Sequence, residues 1–90
     1  MATNLIGELV ANKGTFILNN NTEYTGSIDA IVVLEDTEFF AVKIAGIDVR
    51  SSYIATPGAA VKAGAILTPT ADQKFSGVDL KTGSVALVLG

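Results

Sequence analysis

Ninety residues and 9.3 kDa fit one small domain and leave no room for a second. The chain has no His, no Cys and no Trp, which removes imidazole bases, thiolate nucleophiles, His/Cys zinc sites and disulfides from its possible chemistry. Six basic and nine acidic residues give a net charge of −3, and the cations stand singly at Lys13, Lys43, Arg50, Lys62, Lys74 and Lys81, so the clustered basic stripe of a nucleic-acid binder is missing.

The apolar content points outward. Apolar residues make up 49% of the chain and the mean hydropathy is +0.47. A domain this short buries only about 60–65% of the surface its unfolded chain exposes, so this much apolar residue implies either an unusually well-packed domain or a surface that meets another protein. The opening MATNLIGELVA has no cationic start and carries Glu8 within its apolar stretch, so no secretory signal is expected. No apolar run approaches the roughly 18 residues of a membrane helix. Neither a membrane nor nucleic acid is an expected partner.

Val, Ile and Thr supply 26 residues, and their β-branched side chains suit a pleated sheet. In chain order, Leu5–Val10 reads as a possible first strand, weakened by Gly7, with residues 1–11 as an extended N-terminal arm. Thr15–Leu18 is a clearer strand, and Asn19-Asn20-Asn21 reads as a hairpin tip leading into Thr22–Thr25. Gly26 marks a break or bulge. In Ser27–Leu34 both faces are mostly apolar, with Ile28, Ala30, Val32 and Leu34 on one and Asp29, Ile31 and Val33 on the other, which predicts a mostly buried, central strand. Glu38–Ile44 follows, with Phe40, Val42 and Ile44 sharing a face. Past the Ala45-Gly46 turn, Ile47–Arg50 and Ser52–Ala55 read as two short edge strands.

Ala59–Ala63, between Pro57-Gly58 and Gly64, is too short for a stable helix and reads as a loop or single turn. A strand is expected at Ala65–Thr68, ended by Pro69. Phe75–Leu80 and Ser84–Leu89 read as a hairpin closed by Lys81-Thr82-Gly83, a type I turn with Gly in the left-handed position. That pairing sets Leu80 near Val85 and Val78 near Leu87. The expected fold is a single all-β domain, a small sandwich or barrel of about seven to nine short strands.

The densest charge, Glu35, Asp36 and Glu38, admits a calcium site or a solvated turn; the spaced acid-Gly-acid pattern of a calcium loop is absent. A carboxylate pair could be drawn from Asp29, Glu35, Asp36, Asp48 and Asp79, but glycosidase chemistry also needs an aromatic-lined cleft. Ser51-Ser52-Tyr53 has hydroxyls and no imidazole to activate them. Gly58, Gly64, Gly77 and Gly83 occur singly and make no phosphate loop. No catalytic residue, metal ligand or cofactor site is expected, and the chain reads as a non-enzyme.

Three segments carry a resemblance. Asp29-Ala-Ile-Val-Val-Leu-Glu-Asp-Thr-Glu-Phe39, Ala63-Gly-Ala-Ile-Leu67 and Lys74-Phe-Ser-Gly-Val-Asp-Leu-Lys-Thr-Gly-Ser-Val-Ala-Leu-Val-Leu89 resemble small phage virion structural proteins of the capsid decoration or head-fibre type. The resemblance covers about residues 24–89 and rests on strand- and turn-forming positions, so no binding residue carries over from it. It implies an auxiliary protein made in the host cytoplasm and resident on the virion's capsid surface. There it would bind the major capsid protein or other virion proteins and stabilise the assembled shell, as a trimer or as a monomeric clamp. The residues alone leave two alternatives: a sandwich-type adhesion module for a carbohydrate or host-surface ligand, with Tyr24, Tyr53 or Phe39 as an aromatic platform, and a tail or baseplate component. Short edges can accept a partner's strand, which makes Ala2–Ile6 of the N-terminal arm and Ser51–Ala60 the candidate contacts. The candidate interface residues are Asn4, Leu5, Ile6, Phe39, Tyr53 and Ile54.

Overall fold

A computed structural model describes residues 14–56, 58–70 and 72–90. They form seven strands: β1 (Thr15–Leu18), β2 (Tyr24–Val33), β3 (Glu38–Ile44), β4 (Ile47–Asp48), β5 (Ile66–Leu67), β6 (Phe75–Thr82) and β7 (Val85–Leu89). A single helical turn, α1 (Arg50–Tyr53), lies between β4 and β5. All pairings are antiparallel, in the order β1-β7-β2-β6-β3-β4, with β5 added to β2. The all-β class is therefore as the composition implies. The possible strand Leu5–Val10 and the arm 1–11 lie outside the described residues.

β2 organises the rest because its apolar run is long enough to be paired along both sides. Its start meets β6 (Tyr24↔Val78, Thr25↔Gly77), while its second half meets β7 from Ala30↔Val88 to Val33↔Val85. On the flank away from β7, Ile31 and Val32 hold β5. The register slips between Thr25 and Ile28 against β6 and between Ile28 and Ala30 against β7, so the break expected at Gly26 is present and a second follows at Asp29. A bulge bends a strand and sharpens its twist. The sheet folds over along these bulges, and side chains from β1 and β7 (Leu18, Val85, Leu87) join those of β3 and β6 (Phe39, Val42, Phe75, Val78, Leu80) in one core with Ile28, Ile31 and Val33.

Two expected hairpins do not form. β6 and β7 are joined by only Gly83 and Ser84, yet β7 pairs with β1 and β2 while β6 pairs with β2 and β3. The turn carries the chain from one half of the folded sheet to the other. Likewise Asn19-Asn20-Asn21 does not close β1 onto β2, because β7 lies between them. The Asn chemistry is as anticipated, since Thr22 N–H donates to the Asn20 side-chain oxygen at 3.0 Å, but the strands it joins have other partners.

Where the β2–β3 loop meets the β6–β7 crossing, Thr37 is the buried polar side chain among the described residues. Its hydroxyl donates to Glu35 C=O at 2.7 Å and accepts from Ser84 N–H at 3.2 Å. Its backbone exchanges two hydrogen bonds with Val61, at 2.7 and 2.9 Å, which fixes the 58–64 loop over this corner. A buried hydroxyl is tolerated because every one of these groups has a partner.

Candidate functional site

Of the six candidate interface residues, two belong to the core. Phe39 is 2% exposed and Ile54 is buried beside it in the same cluster. For Phe39 the cause is a bulge in β3: Phe39 faces Leu80 and Ala41 faces Asp79, so two steps on β3 match one on β6 and Phe40 is the extra residue. Strict alternation would have put Phe40, Val42 and Ile44 together. The inserted residue shifts the phase, so Phe39 joins Val42 in the core and the Phe40 ring, 62% exposed, faces solvent.

Ile54 follows a helical turn where a strand was expected over Ser52–Ala55. Asp48 Oδ1 accepts the Arg50 N–H at 2.9 Å, Ile54 N–H donates to Arg50 C=O at 2.9 Å, and the Arg50 guanidinium reaches back to Phe39 C=O at 2.8 Å. These tethers curl the chain and turn Ile54 inward. Tyr53 is half-buried, its ring set edge-on against Phe75 at 5.3 Å, and its hydroxyl accepts Thr70 N–H at 3.1 Å. Asn4, Leu5 and Ile6 lie outside the described residues.

The expected aromatic platform is not assembled. Phe39 is in the core, Tyr53 packs on Phe75, and the half-buried Tyr24 stacks on Phe16 with ring centres 4.9 Å apart. The exposed large apolar side chains are others: Phe16 and Ile17 on β1, Phe40 on β3, Ile47 on β4, Leu34 and Ile66. Beside β4 lies an open depression of about 280 Å³, walled by Ile44, Ala45, Ile47, Val49 and Tyr53 with Thr70 at its rim. Ala45 sits there with φ +54°, in the left-handed position of the β3–β4 turn. The short edge strand that carries Ile47 was visible in the sequence; the exposure of Phe40 required knowing the bulge, and nothing in the pattern of Thr15–Leu18 singled out Phe16 and Ile17.

The acidic stretch is engaged by protein donors. Glu35 Oε2 accepts the Ser84 hydroxyl at 2.7 Å, and Asp36 accepts Ala63 N–H and the Lys62 ammonium, each at 3.2 Å. Glu38 is half-buried in register with Thr82. Among the described residues, no group of three or more acidic side chains converges to hold a metal ion. Asp29, another of the carboxylates considered, meets the Lys74 ammonium.

The Ala63 amide, and after it Lys62, holds the Asp36 carboxyl below its ordinary pKa, whereas Glu23, 2.8 Å from the Lys43 ammonium, raises that of Lys43. A lowered carboxyl contributes stability above its unfolded pKa of about 3.9 and loses it as pH falls through the folded value; a raised lysine contributes below about 10.4 and loses it as pH rises through its folded value. Asp36→Asn is therefore expected to flatten the acid limb of a plot of melting temperature against pH while leaving the alkaline limb unchanged. An acid limb as steep as that of the wild type would exclude a contribution from Asp36. Both groups are solvent-exposed, so the effect is small.

Comparison with protein-family models, with curated proteins and with solved structures returned no significant match.

Proposed function

We propose that this chain is an auxiliary structural protein of a phage capsid, binding the assembled shell through exposed apolar side chains. The observation that carries the reading is the exposure of several large apolar side chains on a small antiparallel sheet, led by Ile47 at 67% and Phe40 at 62%. Side chains of this kind, presented on rigid strands, supply the anchors that dominate protein–protein contacts. The resemblance of residues 29–39, 63–67 and 74–89 to small virion proteins supplies the class of partner. The adhesion alternative has no comparable support, since its three aromatic residues are separately engaged.

Sedimentation with purified capsids tests the reading. The protein is expected to pellet with expanded shells in a fixed ratio to the capsid protein and to bind isolated capsid subunits far more weakly, because the site is shared between neighbours. Phe40→Ala and Ile47→Ala should each weaken shell binding by about tenfold or more, as for a buried interface anchor. Equal affinity for free subunits and shells, or no binding to shells, would overturn it.

A further inference from the structure

Among the described residues, β1 is an edge strand, paired on one side with β7. Leu89 N–H donates to Gly14 C=O at 2.9 Å, and the register continues through Phe16↔Leu87 and Leu18↔Val85. Antiparallel alternation then directs the backbone groups of Phe16 and Leu18 toward β7 and those of Thr15 and Ile17 away from it. No described strand occupies that side. Phe16 and Ile17, neighbours and hence on opposite faces of the strand, are 44% and 49% exposed.

Natural sheet edges are usually protected by charge, proline, a bulge or shortness. β1 has none of the first three: its register against β7 is unbroken, and Gly14–Thr22 contains neither a charged residue nor proline. The opposite edge, β4, has only two residues and carries Asp48. In a chain of net charge −3, a neutral strand is also the element that another copy can approach with least repulsion. A two-fold axis satisfies both copies at once, because an isologous contact places each strand against its own equivalent.

We propose that two copies associate through β1, antiparallel, with Thr15 opposite the partner's Ile17, Ile17 opposite the partner's Thr15, and the two Phe16 residues facing each other across the axis. In this register the outward N–H and C=O groups of Thr15 and Ile17 are satisfied in pairs. The Phe16 residues occupy the closer, non-hydrogen-bonded position, where cross-strand side chains interact most strongly. Phe16 is already held against Tyr24, so its ring is ordered before association. The proposal is independent of shell binding and is tested without capsids.

Sedimentation equilibrium of the full chain should show a concentration-dependent monomer–dimer equilibrium. Ile17→Lys should weaken dimerisation at least tenfold while the protein's melting temperature, extrapolated to low concentration, stays near that of wild type. Because the chain has no cysteine, Phe16→Cys supplies a unique thiol, expected to form a disulfide-linked dimer on mild oxidation far faster than Asn20→Cys. A monomer at all concentrations up to about 1 mM, an Ile17→Lys variant that still dimerises like wild type, or equal cross-linking at positions 16 and 20 would each overturn the assignment.

Discussion

Replacing Gly83 with valine is expected to lower stability by about 3–5 kcal/mol, on the order of 15–30 °C in melting temperature for a domain of this size. Two penalties combine. Gly83 has φ +101°, a conformation that a β-branched residue resists. A side chain there would also strike the Thr37 hydroxyl, with its Cβ only 2.6 Å from Thr37 Cα and 2.8 Å from Asp36 C=O. The backbone at Thr37 has little room to retreat, because it is bonded to Val61 in both directions. Gly46→Val provides the comparison: φ is +79°, but nothing lies within 4 Å of the new Cβ, so only the conformational penalty of about 1–2 kcal/mol remains. Urea unfolding of both variants separates the terms. A Gly83→Val loss no larger than that of Gly46→Val would mean that the β2–β3 loop and the β6–β7 crossing are not packed as described.

Gly83 also marks where sequence legibility ends. The turn chemistry of Lys81-Thr82-Gly83 is local, and its left-handed glycine is present. Whether the flanking strands pair is a different question, decided by competition among distant partners. Val85 sits between Leu18 and Val33, so both sides of β7 are taken before β6 could pair with it. The same distinction holds at Asn19-Asn20-Asn21. Strand positions, by contrast, depend on β-branched runs and turn residues, and β1 and β3 have the bounds that those residues predict. The helical turn at Arg50–Tyr53 escaped because its causes are the Asp48 carboxylate and the reach of Arg50 to Phe39, neither of which is a propensity.

For the candidate surface, phase mattered more than partners. One extra residue in a strand sends every later side chain to the other face. Asp29 does this in β2 and Phe40 in β3, so apolar positions that look equivalent in sequence divide into core and surface. An exposed phenylalanine and a buried one then stand side by side, with nothing in their chemistry to tell them apart.

Phe39→Ala and Phe40→Ala should therefore differ sharply. Phe39 is buried among Val42, Leu80 and their neighbours, and truncating it is expected to cost about 3–5 kcal/mol through lost burial and the cavity left behind. Phe40 is mostly in water, and its truncation should change stability by no more than about 0.5 kcal/mol. Urea midpoints at constant slope would measure both. A larger loss at Phe40 would mean that β3 has no bulge there and that Phe40 shares the buried face of Val42, and equal losses would mean that the Phe40 ring is as buried as that of Phe39. The pair also separates folding from recognition. If Phe40 is an anchor for the shell, its alanine variant should keep the wild-type melting temperature and lose binding, whereas any loss of binding by Phe39→Ala should track its unfolded fraction and recover under conditions that restore the fold. A solvent-facing ring whose removal leaves both stability and shell binding untouched would not be an anchor, and the shell contact would then have to centre on Ile47.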